Sequence, residues 1–520
     1  MKIVTSSEMA DIEERSADCG VSINVLMDKA GQMVASEIES DFGPIFGAKV
    51  LALIGPGNNG SDGLVACAKL AKQGAKVTAA ILATRPELDD RLQQAIFSNV
   101  EVLEVSESSK GATVLGEIAA SSHVVIDAVL GTGASRPLLN PISMYLKTVE
   151  KSVKDSTFIV AVDLPSGVNA NTGSVDESVL VPQLTVVLGY LKIGHLTQPG
   201  AAVCGVLRIV DIGIPEGLDS QINVNMITSG HAASLVPKRL VDSNKGTFGR
   251  TMVVGGSANY SGAPAFAGAA AARAGAGLVT LAVPQTITYT INGLVPEATL
   301  LPLDDGDGEI LDGWSSARSI YKSLFKYSVL LVGCGLSTSR QARILIDCLI
   351  LSPIDVPLLV VDADGLNIIS KYYKWWDRLP EHSILTPHVG EMSRLTGLSV
   401  EQIQSDRLGV VQAYAKEWRK VIVLKGANTL VGEPNGTVWI SGVANPALAS
   451  AGTGDVLSGI ISGFASQGLG LADSAVLGVY VHAAAGGVIS ERTGPSGLLA
   501  SDLVLEIPNV VSFLRKNGSD

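Results

Sequence analysis

Charge is scarce in this 520-residue sequence: Asp, Glu, Lys and Arg together make up 17%, against 47% hydrophobic residues. That balance excludes a disordered chain, which is one too polar to bury an ordering core. A basic excess is missing as well. Fifty acidic residues against 38 basic ones leave a net charge of −12, which repels a polyanionic backbone and offers no patch for anionic lipid. Cysteine is sparse: Cys19, Cys67, Cys204, Cys334 and Cys348 are odd in number, scattered, and never in a Cys-x-x-Cys pair. Neither a disulfide framework nor a zinc site is expected, and a reducing, cytoplasmic setting fits best. Long uncharged apolar runs are also lacking where they would signal export. Met1 to Arg15 carries Glu8, Asp11, Glu13 and Glu14, and the Ala-rich run from Ala263 to Val283 is broken by Arg273, so we expect no signal peptide and no membrane span. The expected partners are therefore small molecules, with no nucleic acid and no membrane.

Glycine, by contrast, is abundant at 56 residues. Short apolar runs ending in Gly or Asp recur, each followed by an amphipathic stretch, the pattern of βα units and a mainly parallel sheet. One series comprises Val50 to Ile54, Lys76 to Leu82, His123 to Ala128, Phe158 to Asp163 and Leu184 to Leu188. Two helices precede it, the first opening with Ser6 as its expected N-cap. A second series comprises Thr251 to Gly255, Leu278 to Val283, Ser328 to Gly333, Leu358 to Asp362 and Val421 to Lys425. The expectation is an α/β protein of two domains, residues 1–215 and 235–520, joined by a linker at 216–234.

Gly55-Pro56-Gly57-Asn58-Asn59-Gly60-Ser61-Asp62-Gly63 lies between a strand and a helix, which satisfies the dinucleotide-binding glycine pattern. Two features argue against that reading. No acidic residue follows the second strand to hold a ribose, although Arg85 could meet a 2′-phosphate, and Asp62 would compete with a pyrophosphate for the helix amides. Asp127 ends another strand before Gly131-Thr132-Gly133-Ala134-Ser135-Arg136-Pro137, and Asp163 ends a third before Leu164-Pro165-Ser166. Carboxyl-terminal strand ends of a parallel sheet converge, so Asn59, Asp127 and Ser166 together could supply hard oxygen ligands to a monovalent or divalent cation. Lys192 is the nearest cationic candidate, and Asp163 and Lys192 are the candidate catalytic residues of this half.

These motifs, with Lys192-x-Gly194, resemble the NAD(P)H-hydrate epimerase domain over about residues 1–215, a Rossmann-like three-layer fold. The resemblance implies a potassium ion held by Asn59, Asp127 and Ser166. It also implies substrate contacts from Asn58, Asn59, Gly60, Ser61 and Asp62, from Gly131 through Pro137, and from Asp163. Ser61 stands where the family usually has Gly, and Asn169 where it usually has Asp.

In the second half, Gly452-Thr453-Gly454-Asp455 opens a helix, bringing free backbone N–H groups and a carboxylate to one point. Such an arrangement suits phosphoryl transfer: the amides stabilise the moving charge while Asp455 takes the proton of the attacked hydroxyl. Lys425-Gly426-Ala427-Asn428-Thr429 follows a strand and offers a Lys and polar groups to nucleotide phosphates. Thr386-Pro387-His388-Val389-Gly390-Glu391 and Asp362-Ala363-Asp364 add polar groups at other strand ends.

With Lys245 to Arg250 and Gly255 to Pro264, these motifs resemble the ADP/ATP-dependent NAD(P)H-hydrate dehydratases, which have a ribokinase-like fold, over about residues 235–510. The resemblance implies nucleotide contacts at Lys425 to Thr429 and Gly454, and hydrate contacts at Ala263, Gly335, His388 and Asp455. Cys334 and Val389 replace the usual Pro, and Ala447 and Ala451 the usual Gly. Chains fused in this order resemble bifunctional bacterial and archaeal enzymes that use ADP. The implied chemistry is the epimerisation of hydrated NADH and NADPH and the dehydration of the S form with ADP as phosphoryl donor, Mg2+ accompanying it, in a homo-oligomer. The rival reading is a ribokinase-type small-molecule kinase joined to a non-catalytic binding module.

Overall fold

The computed structural model describes residues 1–86, 89–105, 109–133, 137–304, 311–352 and 355–517. The chain divides into two compact units, Lys2–Ile222 and Asn223–Asp520.

The first unit contains β1 (Ile3–Val4), β2 (Lys49–Ile54), β3 (Lys76–Ile81), β4 (Glu101–Glu104), β5 (Val124–Ala128), β6 (Phe158–Val162), β7 (Leu184–Leu188), β8 (Leu191–Lys192) and β9 (Val206–Val210). Seven of these form one parallel sheet in the order β4-β3-β2-β5-β6-β7-β9, and β1 pairs with β8 beside it. β2, β5, β6 and β7 are almost wholly buried, which explains their unbroken apolar runs. The chain winds outward from β2 through β3 and β4, then from β5 in the opposite direction. The order therefore reverses between β2 and β5, where parallel sheets leave a crevice at their carboxyl ends. A Cβ on Gly55 would fall 1.8 Å from Val129 O, and one on Gly63 2.5 Å from Ala128 Cβ. Close approach of the β2 and β5 loops thus accounts for these glycines without a dinucleotide. The first helix, Ser6–Asp18, is capped by Thr5 rather than by Ser6. Thr5 Oγ1 accepts from Glu8 N at 3.1 Å while Thr5 N donates to Glu8 Oε2 at 2.7 Å.

The second unit contains β10 (Val224–Ile227), β11 (Arg250–Val254), β12 (Leu278–Pro284), β13 (Thr299–Leu303), β14 (Val329–Val332), β15 (Leu358–Val361), β16 (Ser383–Leu385), β17 (Val421–Leu424), β18 (Leu430–Gly432) and β19 (Val438–Ser441). They form one sheet in the order β10-β19-β18-β17-β16-β15-β14-β11-β12-β13, parallel except for β18, which runs antiparallel to β17 and β19. Here the order reverses between β11 and β14, and the same close contact recurs: a Cβ on Gly255 would lie 2.3 Å from Cys334 O. The helices Gly262–Ala274 and Thr453–Ser466 pack face to face; Cβ atoms on Gly459 and Gly463 would lie 2.3 and 2.5 Å from Ala267 O and Ala271 O. The alanine-rich composition of the first helix follows from that approach. Leu471–Thr493 is long and apolar enough to cross a membrane by length and composition, yet 61% of its apolar window is buried in the core of this unit.

Residues 216–234 are not a bare linker. Val224 and Ile227 are buried as β10 extends the second sheet alongside β19, and Ser229–Leu235 is a helix whose N-cap, Thr228, accepts from His231 N. A strand this short, with neither a Gly nor an Asp ending, leaves little periodic signal.

Candidate active sites

In the first unit a cleft of about 640 Å3 opens at the carboxyl ends of β2, β5 and β6. Asn58, Asn59, Asp62, Gly131, Thr132, Gly133, Asp163 and Lys192 all line it, so residues of separate sequence motifs share one cleft. Lys192 is fully buried and its Nζ donates to Asp163 Oδ1 and, at 3.1 Å, to Leu188 O. Asp163 holds a left-handed backbone, φ 63°, which a non-glycine residue adopts only under local constraint. His195 braces the pair: its Nδ1 accepts from Lys192 N at 2.9 Å and its Nε2 lies 2.8 Å from Asp163 O. The ring is therefore neutral with Nε2 as donor, and burial, then the Lys192 charge, lower its pKa to about 4.

Asp62 reaches the cleft from the first turns of Asn58–Lys72, and its Oδ1 is buried with no hydrogen-bond partner. Burial, then the Asp163 and Glu13 charges, raise its pKa well above the ordinary Asp value, a shift that favours the protonated carboxyl. Glu13, which sequence reasoning passed over, also lines this cleft, and burial followed by Asp163 raises it. Its signal was present: Glu13 stands four residues from buried Met9, on the apolar face of its helix.

Asp127 is fully buried at the end of β5. Its Oδ1 accepts from Ser166 Oγ at 2.5 Å and its Oδ2 from Ser166 N at 2.8 Å, and among the described residues no basic side chain is a hydrogen-bond partner. Burial outweighs these bonds and raises its pKa. Asn59 approaches Gly131, and its Nδ2 is buried without a partner. An all-oxygen set from Asn59, Asp127 and Ser166 suits a hard cation.

Other expected contacts fall elsewhere. Ser61 does not line this cleft; its Oγ accepts from Arg85 Nη2 at 2.8 Å. Arg85 also binds Asp89 at 2.5 Å and Gly55 O, so its guanidinium is committed within the fold rather than presented to a 2′-phosphate. Gly60 is required by the turn, because a Cβ there would meet Gly55 O at 2.2 Å. Pro137 is exposed and lies outside the cleft lining, and Ala134, Ser135 and Arg136 lie outside the described residues. Asn169 accepts from Asn171 N and Thr172 N at 2.9 and 3.0 Å, a turn-closing role open to Asn and Asp alike.

In the second unit the segments after β14, β15, β16 and β17 meet at the N-terminus of Thr453–Ser466. Lys425 Nζ donates to Asp362 Oδ1 at 2.6 Å and lies 3.7 Å from Glu391 Oε2. Burial disfavours the ammonium, but Asp362, Glu391 and Asp455 together raise its pKa. A Cβ on Gly454 would be 3.5 Å from the same Nζ, which places Lys425 against the Gly-Thr-Gly turn. Donor atoms of Cys334, Asp362 and Asp455 lie within 4.8 Å of one another. Burial, then the Asp362 charge, raise Asp455 to about 6 against the lowering effect of the Cys334 thiol. The helix N-terminus alone thus does not hold it at an ordinary carboxylate value. Burial keeps Cys334 protonated, its thiol also 3.5 Å from Ser458 Oγ.

His388 Nδ1 caps the helix Val389–Thr396, accepting from Gly390 N at 3.0 Å, while the ring remains 54% exposed beside the Lys425 loop. Burial, then Lys425, lower its pKa. Val389 occupies the first helical position, where Pro is favoured and other residues fit. Gly335 and Ala263 are neighbours, with a Cβ on Gly335 falling 3.0 Å from Ala263 Cβ, and they adjoin a cleft of about 410 Å3 lined by Ser257, Tyr260 and Ser337. Within 425–429, Gly426 and Ala427 are exposed, whereas Asn428 turns inward and donates to Ser441 O at 2.9 Å. Its side chain therefore shapes the loop instead of facing a phosphate. Arg407, which sequence reasoning missed, donates from behind to Ala427 O and Leu424 O.

Residues 23–194 match the family described as YjeF-related protein N-terminus, and residues 251–509 match NAD(P)H-hydrate dehydratase. A ribokinase-like superfamily protein from Enterococcus faecalis V583, 23% identical, superposes with a TM-score of 0.50 over 56% of this chain and 96% of its own; it shares the fold. Bifunctional NAD(P)H-hydrate repair enzymes from Moorella thermoacetica and Thermofilum pendens are 35% and 33% identical, each over 99% of this chain and 98% and 97% of their own lengths. With both halves matched in the same order along its whole length, the chain belongs to the family of bifunctional NAD(P)H-hydrate repair enzymes.

Proposed function

We propose that the first unit epimerises hydrated NADH and NADPH and that the second dehydrates the S form with ADP. Epimerisation requires a bond at the hydroxyl-bearing carbon to break and reform from the other face. A proton donor and a proton acceptor catalyse this, and Asp62, Asp163 and Lys192 supply both within one cleft. Asn59, Asp127 and Ser166 would hold potassium, whose charge would offset a buried carboxylate that has no basic partner among the described residues.

In the second unit Asp455 takes the hydroxyl proton as that oxygen attacks the terminal phosphate of ADP, releasing AMP. The free amides around Gly454, with Lys425, stabilise charge on the transferred group. Elimination of phosphate then restores the ring double bond. Lys425 and the exposed amides of Gly426 and Ala427 receive nucleotide phosphates. Mg2+ would neutralise charge on ADP when bound; Asp362 would offer it a hard oxygen, and the protonated Cys334 thiol does not suit it.

The observation that carries this reading is Asp455, with a raised pKa, facing Lys425 and Asp362 at a glycine-flanked helix N-terminus. Incubating the protein with both epimers of hydrated NADH should form NADH completely with ADP and none without it. Accumulation of a phosphorylated substrate, without NADH, would instead identify a kinase. We also place the protein in the cytoplasm, since its described cysteines are all free.

A further inference from the structure

The second unit carries a basic cluster that the chemistry above does not use. Arg343, Lys371 and Arg394 line one pocket of about 210 Å3 together with Thr338, Asn367 and Ile368. Among the described residues no carboxylate lines it, although the chain as a whole carries a net charge of −12. Among the described residues, none of the three cations forms an ion pair. Two of them are oriented by neutral acceptors: Arg394 Nη1 donates to Asn367 Oδ1 at 3.1 Å, and Arg343 Nε donates to Thr338 O at 3.2 Å. Three like charges around one small pocket repel one another, and an anion placed among them reverses that cost.

The pocket's position gives the anion a source. Thr338 stands three residues beyond Gly335, at the end of β14. Asn367 and Lys371 follow Asp362 and Asp364, at the end of β15, and Arg394 lies in the helix that His388 caps after β16. The pocket therefore shares the carboxyl-terminal face of the sheet with Asp455, on the β14 to β16 side, whereas the loop 425–429 leaves β17. A dinucleotide with its hydroxyl at Asp455 must extend away from the centre by a route that ADP does not occupy. It carries a pyrophosphate and, in the NADP form, a 2′-phosphate.

We propose that Arg343, Lys371 and Arg394 form the subsite that binds a phosphate group of the hydrated dinucleotide, an assignment that rests on the function proposed above. Guanidinium groups pair with phosphate through two parallel hydrogen bonds, which adds geometric fit to the attraction between charges.

The test uses the full-length protein and the double variant Arg343→Gln/Lys371→Gln, both positions being exposed, with initial rates of NADH or NADPH formation measured at several salt concentrations. The variant should lose roughly tenfold or more in kcat/KM for the hydrate, carried by KM, with KM for ADP unchanged and a weaker dependence on salt. A loss with both hydrates identifies the pyrophosphate as the bound group, and a loss with hydrated NADPH alone identifies the 2′-phosphate. Equal kcat/KM in variant and wild type overturns the subsite and leaves the dehydratase reading intact, as does a rise confined to KM for ADP. Absence of turnover by the wild type with either hydrate overturns both. Arg394→Lys, which keeps the charge but loses the fork, should fall between wild type and the double variant, and a wild-type value would count against bidentate binding.

Discussion

Between pH 7.5 and pH 5 the dehydration step should slow about tenfold, because its base is set to titrate near 6. Burial contributes most to that position and the Asp362 charge comes next, offset by the Cys334 thiol and Lys425. A base works only when unprotonated, so a raised pKa means that activity is full well above 6 and is lost as the pH falls through it. Ionised Asp455 amounts to about 97% at pH 7.5, about half at pH 6 and about 9% at pH 5, giving the tenfold ratio. Single-turnover formation of NADH from the S hydrate, at saturating ADP, isolates the chemical step for this measurement. Asp455→Asn preserves size but cannot accept the proton; it should lower the rate by roughly 10²–10⁴-fold and remove the inflection near 6. Cys334→Ala removes a hydrogen bond to the ionised form and should move the midpoint to higher pH by less than about one unit. A wild-type rate flat across this range, or rapid NADH formation by Asp455→Asn, would refute the assignment of the base.

Asp127→Ala should abolish epimerisation while leaving dehydration of the S form intact, and wild-type epimerisation in potassium-free buffer should be impaired; full activity of both would exclude the ion. Lys425→Ala should weaken ADP binding more than hydrate binding in calorimetry, and because it leaves Asp362 buried without its cation it should also lower stability by about 3–5 kcal/mol. Gly459→Ala forces a methyl group to within 2.3 Å of Ala267 O, so overpacking should cost about 1–3 kcal/mol and lower the melting temperature by several degrees. An unchanged melting curve would mean that the two helices separate easily.

The two sheets were readable because their central strands are buried on both faces, leaving unbroken runs such as Val50 to Ile54 and Val329 to Val332. β4 escaped notice because its four residues are at most partly buried and it begins and ends in Glu. The loop residues that carry chemistry were legible where Gly, Asn and Asp follow a strand, as at Asn58, Asp127 and Asp455. Side-chain direction was not. Asn428 and Ser61 lie in the right loops but point into the fold, and this depends on distant partners, Ser441 and Arg85, that local sequence does not name. Glu13 was missed because it comes from a helix remote in sequence from most of the cleft it lines, and Arg407 because a helix and a strand separate it from the loop whose carbonyls it holds.

The loop 425–429 closes on itself. Thr429 Oγ1 donates to Gly426 O at 3.0 Å, Asn428 is tied to Ser441, and Arg407 holds the carbonyls from the far side. Immobilising a free backbone costs about 1–2 kcal/mol per residue, so a slack loop of this length would subtract roughly 5–10 kcal/mol from nucleotide binding. A phosphate arriving at the exposed amides of Gly426 and Ala427 meets a surface whose entropy was lost during folding. Nucleotide capture here should therefore leave the amide exchange of this loop nearly unchanged, with the entropic penalty confined to the ligand.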